Sequence, residues 1–232
     1  MDSAYIDVSD EGSKTLSVFA SKSAMPPQQY ASLSSMLGAL DGLPGFVLVP
    51  EQEVGAAISG MTAPLQAALF SYVKNGGTLV YASMGDSNAL SMQNQLFGWS
   101  ISSADCSSIS TSLDPGQASG TSFSVGPATL PPLDAACCIS RASLPAGALS
   151  IYYSGSAVSV FRATVGTGHV IGLAPDWYAT STEWNTVLMM AVQTATDCKG
   201  QCQAGTFWNA SVCSACPAGS FSNATGTSMY SS

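Results

Sequence analysis

The chain carries little charge. Asp, Glu, Lys and Arg together make up 9% of its 232 residues, against about a quarter in ordinary soluble domains. Six basic residues and a formal net charge of -8 exclude nucleic-acid binding, because too few cations are present to neutralise a row of phosphates. A charge-poor surface loses little hydration when it is covered. The composition therefore favours self-assembly, or packing against other proteins.

Long apolar runs are also missing. No stretch reaches the roughly eighteen apolar residues that a membrane-spanning helix needs, so we expect no membrane span. Met1 does not open a charged segment followed by an apolar core. We therefore expect any secretion signal to lie upstream or to have been removed. The chain has a single histidine, His169, and its sequence predicts neither a metal site nor a cofactor.

Cysteine is concentrated at the end of the chain. Four of the seven cysteines lie in residues 198–232, a segment with too few apolar residues to form a core without cross-links. Zinc is an alternative because two of the four have ligand spacing, but no histidine lies nearby. Disulfides are favoured. The four residues are Cys198, Cys202, Cys213 and Cys216.

The same segment contains two N-glycosylation sequons, Asn209-Ala-Ser211 and Asn223-Ala-Thr225. A glycan acceptor is meaningful only on a lumenal or secreted surface. Together with the predicted disulfides, the sequons place the chain outside the cell, as a secreted glycoprotein at the cell surface that carries N-linked glycans.

Residues 1–197 read as one α/β domain, because apolar runs of strand length alternate with stretches of helical period. In the first half the pattern predicts strands over 15–20, 46–49 and 78–83. It predicts helices over 28–40, 62–74 and 88–97. Three strand–helix units in a row imply right-handed crossovers and a mostly parallel sheet flanked by helices.

The second half begins with a segment rich in Ser, Gly, Pro and Thr, over about 102–148. It is predicted to be an irregular insertion stapled by disulfides, with an edge strand over 121–125. Strands are predicted over 149–153, 157–163 and 169–174, and Ser181 or Thr182 is predicted to cap a closing helix that runs through Val192. The insertion contains Cys106, Cys137 and Cys138.

The order of these elements resembles the class I glutamine-amidotransferase-like branch of the flavodoxin-like folds, over about residues 15–195. Two short motifs carry the likeness, "YASMGD" and "GLAPDW". The resemblance puts Ser83 at the position of the nucleophile, on a sharp turn between a strand and a helix. It puts Ala174 where catalytic members have a histidine, and Pro175-Asp176 where they have Pro-Glu.

This departure argues against catalysis. A serine hydroxyl needs a base to accept its proton, and His169 lies five residues before the required position. On a strand, that separation is about 17 Å. Asp86 and Asp176 are possible replacements, but an exposed carboxylate near its usual pKa is a weak base for a hydroxyl. We therefore expect Ser83 to be a turn residue and the chain not to be an enzyme.

Acidic and aromatic residues follow several predicted strands, at the carboxyl edge where ligands bind in open α/β sheets. Carboxylates that accept hydroxyl protons and an aromatic ring that stacks on a pyranose would suit a carbohydrate. The alternative is that these residues cap helices and pack loops, and it is the favoured one. The residues are Glu51, Glu53, Asp86, Asp176 and Trp177.

The tail resembles a second family. The phrases "CQAGTF" from Cys202 and "CSACPAGSF" from Cys213 are similar to the ephrin-receptor-like cysteine-rich repeat, which is related to tumour-necrosis-factor-receptor repeats. The resemblance implies that Cys202 pairs with Cys213, and that Cys216 pairs with a cysteine beyond Ser232. The remaining cysteines would then form bridges within or onto the main domain.

These patterns lead to three hypotheses of function. The first is a non-catalytic extracellular structural glycoprotein, a building block of a cell-surface layer, fibre or appendage. The second is a carbohydrate-binding or adhesion module that uses the carboxyl edge of the sheet. The third is a serine hydrolase with Ser83 as its nucleophile.

Overall fold

The structure is a computed structural model. It describes residues 4–6, 10–22, 28–30, 33–40, 45–51, 60–106, 108–133, 136–179, 181–197, 206–209 and 212–215. The strands in chain order are β1 Ala4–Ile6, β2 Gln28–Tyr30, β3 Phe46–Val49, β4 Thr78–Tyr81, β5 Ser103–Asp105, β6 Thr111–Leu113, β7 Thr129–Leu130, β8 Cys137–Ser140, β9 Leu149–Ser154, β10 Ala157–Val165, β11 Gly168–Leu173, β12 Thr206–Asn209 and β13 Val212–Ala215. The α-helices are α1 Asp10–Lys22, α2 Leu33–Leu40, α3 Ala63–Lys74, α4 Ser87–Phe97, α5 Pro115–Ala118 and α6 Thr182–Asp197.

Within the described residues, β1 to β11 form one mixed sheet. Its main path runs β2-β1-β3-β4-β11-β10-β9-β6-β7, while β8 pairs with both β10 and β5. The pairs from β2 to β11 are parallel, and the remaining pairs are antiparallel. The chain is therefore mixed α/β, with helices beside a sheet that is parallel in one half and antiparallel in the other.

The parallel half follows the predicted pattern. Strands β3 and β4 are continuous apolar runs, and all of their residues are buried, as expected of strands covered on both faces. Helix α3 connects them and buries Leu65, Leu69 and Val73, which recur at the helical spacing. It has a proline in its first turn and ends at Asn75.

Two predictions in the first half are wrong. Residues 15–20 belong to α1 and not to a strand: Thr15, Val18 and Phe19 are buried, and their spacing of three and four residues is helical. The helix predicted over 28–40 begins only at Leu33, because residues 28–30 form β2, which pairs with β1 in parallel.

The predicted insertion contributes to the sheet. Residues 102–148 contain β5 to β8, so the segment is not irregular. The edge strand predicted over 121–125 is wrong, since Ser122–Val125 forms a 3-10 turn capped by the Thr121 side chain. One disulfide, Cys106–Cys138, joins the end of β5 to β8, with a Cα–Cα distance of 5.8 Å.

The last strands and helix lie close to their predicted positions. Strands β9, β10 and β11 form two consecutive hairpins, whose turns place Gly155 and Gly166 at positive φ, 56° and 62°. Helix α6 begins at Thr182, and Trp184, Val187 and Leu188 on it are buried. No helix in the described part of the chain has both the length and the apolar character that crossing a membrane requires.

Strands β12 and β13 form a separate antiparallel pair. The described residues show no distinct disulfide-rich module. The predicted sites Cys198, Cys202, Cys216 and Asn223 lie outside the described residues, as do the side chains of Asn209 and Cys213. The pairings and glycosylation inferred for this segment stay predictions.

Candidate functional site

A sharp turn between β4 and α4 forms the centre of the site. Ser83 in this turn has a φ of 46°, in the left-handed region that costs a non-glycine residue roughly 1–2 kcal/mol. Backbone hydrogen bonds hold the turn against the end of β11. The Ser83 N–H donates to the Pro175 carbonyl at 2.7 Å, and the Met84 N–H donates to the Leu173 carbonyl at 3.0 Å. We call residues 82–86 the elbow turn.

The Ser83 side chain is fully buried. Its hydroxyl donates a hydrogen bond to Oε1 of Glu51 at 3.0 Å. Glu51 lies just beyond β3, and β3 is the parallel neighbour of β4. Two adjacent strand ends thus bring the serine and the carboxylate together at the carboxyl edge of the sheet, the edge predicted for Glu51.

Cys137, the first residue of β8, is a third member of the site. Its N–H donates to the Ala174 carbonyl, and its own carbonyl accepts from the Gly85 N–H, both at 2.9 Å. Its side chain is hydrogen-bonded to Ser83. Among the described residues Cys137 forms no disulfide, whereas Cys106 and Cys138 are bonded to each other.

Sequence reasoning missed Cys137 because it treated the adjacent cysteines as equivalent. Neighbouring side chains on a strand point to opposite faces. Cys138 can therefore reach Cys106 across the pairing of β5 with β8, while Cys137 points the other way. The alternation of a strand is the signal that could have separated the two roles.

The electrostatics of the site keep this thiol protonated. Burial raises the pKa of Cys137 above its ordinary value, and the carboxylates of Glu51, Asp86 and Asp176 raise it further. The hydrogen bond with Ser83 acts in the opposite direction and lowers it. Because the thiolate is the nucleophile in cysteine chemistry, Cys137 is not activated at neutral pH.

Gly85 allows the elbow turn and β8 to approach closely. A Cβ atom at this position would collide with the backbone carbonyls of Cys137 and Cys138, and neither carbonyl belongs to a flexible side chain that could move away. The Gly85 N–H is also the donor to Cys137. Glycine is required here by space, not by a positive φ.

Two predicted ligand residues have structural roles. Asp86 is the N-cap of α4, and its Oδ1 accepts from the backbone N–H of Asn88 at 2.8 Å and of Ala89 at 3.4 Å. Asp176 is buried, and its Oδ1 accepts from the Tyr178 N–H at 2.8 Å. Asp86 therefore caps a helix, and Asp176 bonds within its own loop, the structural roles that the sequence favoured for these residues.

Trp177 does not offer a stacking surface. Its side chain is fully buried, its φ is 72°, and its indole Nε1 has no hydrogen-bond partner among the described residues. Stacking on a pyranose requires an open ring face. The neighbouring Tyr178 is 67% exposed, but Nζ of Lys14 lies 3.5 Å from its ring centroid. Glu53, the other residue predicted for this edge, lies outside the described residues.

His169 lies at the opposite edge of the sheet. It pairs with Thr78 at the start of β4, whereas Ser83 follows the end of that strand. Nη2 of Arg162 lies 2.7 Å from its Nε2. Burial, and then the charge of Arg162, lower the pKa of His169 to about 4. The single imidazole of the chain is therefore neutral and out of reach of the elbow turn.

The carboxylates and the Cys137 thiol of the described residues do not form a metal site. Within the described part of the chain, no group of three or more His, Cys, Asp or Glu side chains is arranged to hold a metal ion. What the elbow turn can do chemically is limited by its parts: a buried hydroxyl, a protonated thiol and carboxylates that accept hydrogen bonds.

Several solved structures share the fold. One cytoplasmic protein from Salmonella typhimurium LT2 is 10% identical, with a TM-score of 0.57 over 82% of this chain and 98% of its own. A second from Salmonella typhimurium is 9% identical, with a TM-score of 0.58 over 83% and 98%. A GMP synthase-like protein from Thermoplasma acidophilum is 11% identical, with a TM-score of 0.54 over 85% and 95%. At these identities the likeness shows the fold alone.

No protein-family model matches the chain, and no curated protein matches it. The resemblance of residues 202–221 to the ephrin-receptor-like repeat therefore finds no support. The predicted location outside the cell is also contradicted, because two structures that share the fold over nearly their whole length are cytoplasmic proteins. An extracellular location is not retained.

Proposed function

We propose that this chain is a non-catalytic scaffold domain: a degenerate class I amidotransferase-like fold that serves as a building block of a larger protein assembly. The observation that carries the proposal is the separation of Ser83 from a base. Ser83 occupies the strained turn that would present a nucleophile, yet the only histidine lies at the far edge of the sheet, beside Thr78.

The position of the missing base is filled by an apolar residue. Ala174 is fully buried, and its backbone is engaged by Cys137 on one side and Ser159 on the other. Glu51 accepts a hydrogen bond from the Ser83 hydroxyl, but serine is so weakly acidic that a carboxylate is a poor base for its proton. The hydroxyl is thus held in place without being activated.

Access to the hydroxyl supports the same conclusion. Ser83 is fully buried, so in this conformation the protein itself covers the hydroxyl that a substrate would have to reach. A catalytic serine must meet the carbonyl carbon at bonding distance. In this conformation the elbow turn follows β4 and is hydrogen-bonded to residues of β8 and β11.

The surface supports a role in assembly. Charged residues are scarce, and several large apolar side chains are exposed within the described residues, where a partner could cover them at little cost in desolvation. They are Phe70 at 37%, Ile109 at 41% and Val125 at 82% exposed. Copies of the same chain, or other proteins of the assembly, are the proposed partners.

Active-site labelling tests the absence of catalysis. The purified chain and its Ser83→Ala variant would be treated with a fluorophosphonate probe and with panels of ester and amide substrates, glutamine included. We expect no labelling at Ser83 and no turnover that differs between the two proteins. Turnover that the Ser83→Ala substitution abolishes would overturn the proposal and restore the hydrolase hypothesis.

Sedimentation velocity tests the assembly. We expect association to increase over about a hundredfold range of protein concentration and to respond little to added salt, because few charges are available to be screened. A chain that sediments as a monomer at every concentration would contradict the scaffold role, whatever the labelling experiment shows.

A further inference from the structure

The disulfide lies next to the elbow turn. Cys138 in β8 is bonded to Cys106 at the end of β5, and both residues are buried. The residue that precedes Cys138 is Cys137, whose carbonyl accepts from the Gly85 N–H and whose N–H donates to the Ala174 carbonyl. A single peptide unit therefore separates the cross-link from the contacts that hold the elbow turn.

Strand β5 depends on this bond. It has three residues, and within the described part of the chain it pairs only with β8. Two of its three residues, Ser103 and Asp105, are exposed. A three-residue edge strand has few apolar contacts to hold it. The disulfide is consequently the strongest link between β5 and the rest of the sheet.

Strand β8 depends on β5 in turn. On its other side β8 pairs with β10 through only two residues, Ser140 and Ile139. The end of β8 that carries Cys137 lies beyond that pairing, between β5 and the elbow turn. Loss of the link to β5 would leave this end with its backbone hydrogen bonds to Gly85 and Ala174 and its close packing against Gly85 as the main restraints.

We infer that the Cys106–Cys138 disulfide is a redox-sensitive latch on the elbow turn. A dithiol reductant transfers two electrons and two protons: the S–S bond breaks, Cys106 and Cys138 become thiols, and the reductant becomes a disulfide. Strand β5 then separates from β8, the Cys137 end of β8 loosens from Gly85, the buried Ser83 hydroxyl becomes accessible, and the half-buried Cys137 thiol becomes more exposed. The inference concerns access to the site and does not depend on its being non-catalytic.

The reactivity of Cys137 reports the latch. The rate at which N-ethylmaleimide alkylates Cys137 would be measured by peptide mass spectrometry in the oxidised protein and in the Cys106→Ser, Cys138→Ser double variant, which lacks the cross-link and adds no thiol. We expect alkylation at least about tenfold faster in the double variant, since local opening of β8 would expose further a thiol that is half-buried in the oxidised protein. Rates equal within about twofold would overturn the inference.

Hydrogen exchange of the unsubstituted protein provides the second measurement, and it decides the matter if the double variant fails to fold. Amides would be followed before and after addition of a dithiol. The latch predicts faster exchange at the N–H groups of Gly85 and Cys137, which donate to the carbonyls of Cys137 and Ala174. Exchange in β4 should not change, and Val80 in that strand serves as the control. Unchanged exchange at all three, or equal acceleration at all three, would contradict a local latch.

Discussion

Ser83 and Cys137 are joined by a side-chain hydrogen bond at the carboxyl edge of the sheet. One residue comes from the turn after β4, and the other begins β8, so the bond connects the parallel half of the sheet with the strands of the middle segment. The single hydroxyl proton of Ser83 is donated to Oε1 of Glu51. Three polar side chains, of which Ser83 is fully buried and the other two half-buried, thus meet where a related fold would place a nucleophile.

The strain at Ser83 predicts a difference between two substitutions. Ser83→Ala and Ser83→Gly both remove the hydroxyl that bonds to Glu51, but only glycine adopts a φ of 46° without penalty. We expect the glycine variant to be about 1 kcal/mol more stable than the alanine variant. Urea denaturation of the two proteins measures this difference. Equal midpoints would show that the turn is not strained.

The close approach at Gly85 predicts a large loss of stability. Gly85→Ala drives a Cβ into the carbonyls of β8, so we expect a loss of roughly 2–4 kcal/mol. Gly38→Ala is the matched control. Gly38 lies inside α2 with nothing in the described structure within 4 Å of its added Cβ, and alanine there should stabilise by about 0.5–1 kcal/mol. Thermal melts of both variants provide the comparison, and equal effects would contradict the packing.

Asp86 caps α4, and its charge also raises the pKa of Cys137. Two variants separate these effects. Asp86→Asn keeps a side-chain oxygen that can cap α4 and removes the charge that raises the pKa of Cys137. We expect it to retain stability and to lower the pH midpoint of Cys137 alkylation. Asp86→Ala loses the cap and about 1 kcal/mol of stability as well. An unchanged midpoint in Asp86→Asn would show that its charge does not reach the thiol.

His169 predicts the pH dependence of stability. Its pKa is about 4 in the folded chain, against 6.5 when unperturbed, so between these values the unfolded chain binds more protons. The contribution of the neutral imidazole to the free energy of unfolding is complete above pH 6.5. It is lost as the pH falls from 6.5 to about 4, which lowers the free energy of unfolding by roughly 2–3 kcal/mol. Denaturation of the unsubstituted protein and of His169→Gln across the window measures it. Identical pH profiles would contradict the burial.

Much of the parallel half was predictable because its strands are fully covered. Phe46–Val49 and Thr78–Tyr81 are short apolar runs bounded by turn residues, and such runs have few alternatives. Residues 15–20 show the limit of the same signal. A run of six residues is compatible with both the strand pattern and the helix pattern. The structure forms a helix there, in which the Phe19 ring packs against Phe46.

The strands of the middle segment were not predictable for a different reason. Strands β5, β6 and β7 have two or three residues each and include polar side chains. Such strands are too short for an alternation of apolar and polar residues to be recognised. Their structure comes from partners far along the chain, such as Tyr153 opposite Ser112. At the site, the sequence predicted Glu51 at a strand end and, separately, Ser83 on the elbow, but their contact and the addition of Cys137 by the pairing of β8 were not predicted.

The interior position of Trp177 sets a condition on anything that would use this edge of the sheet. A large, fully buried indole follows closely on Pro175, whose carbonyl receives the Ser83 N–H. A ligand that stacked on this indole would first have to bring it out of the core, which exposes its apolar area to water. The contacts of the ligand would then have to offset that loss before any net affinity resulted.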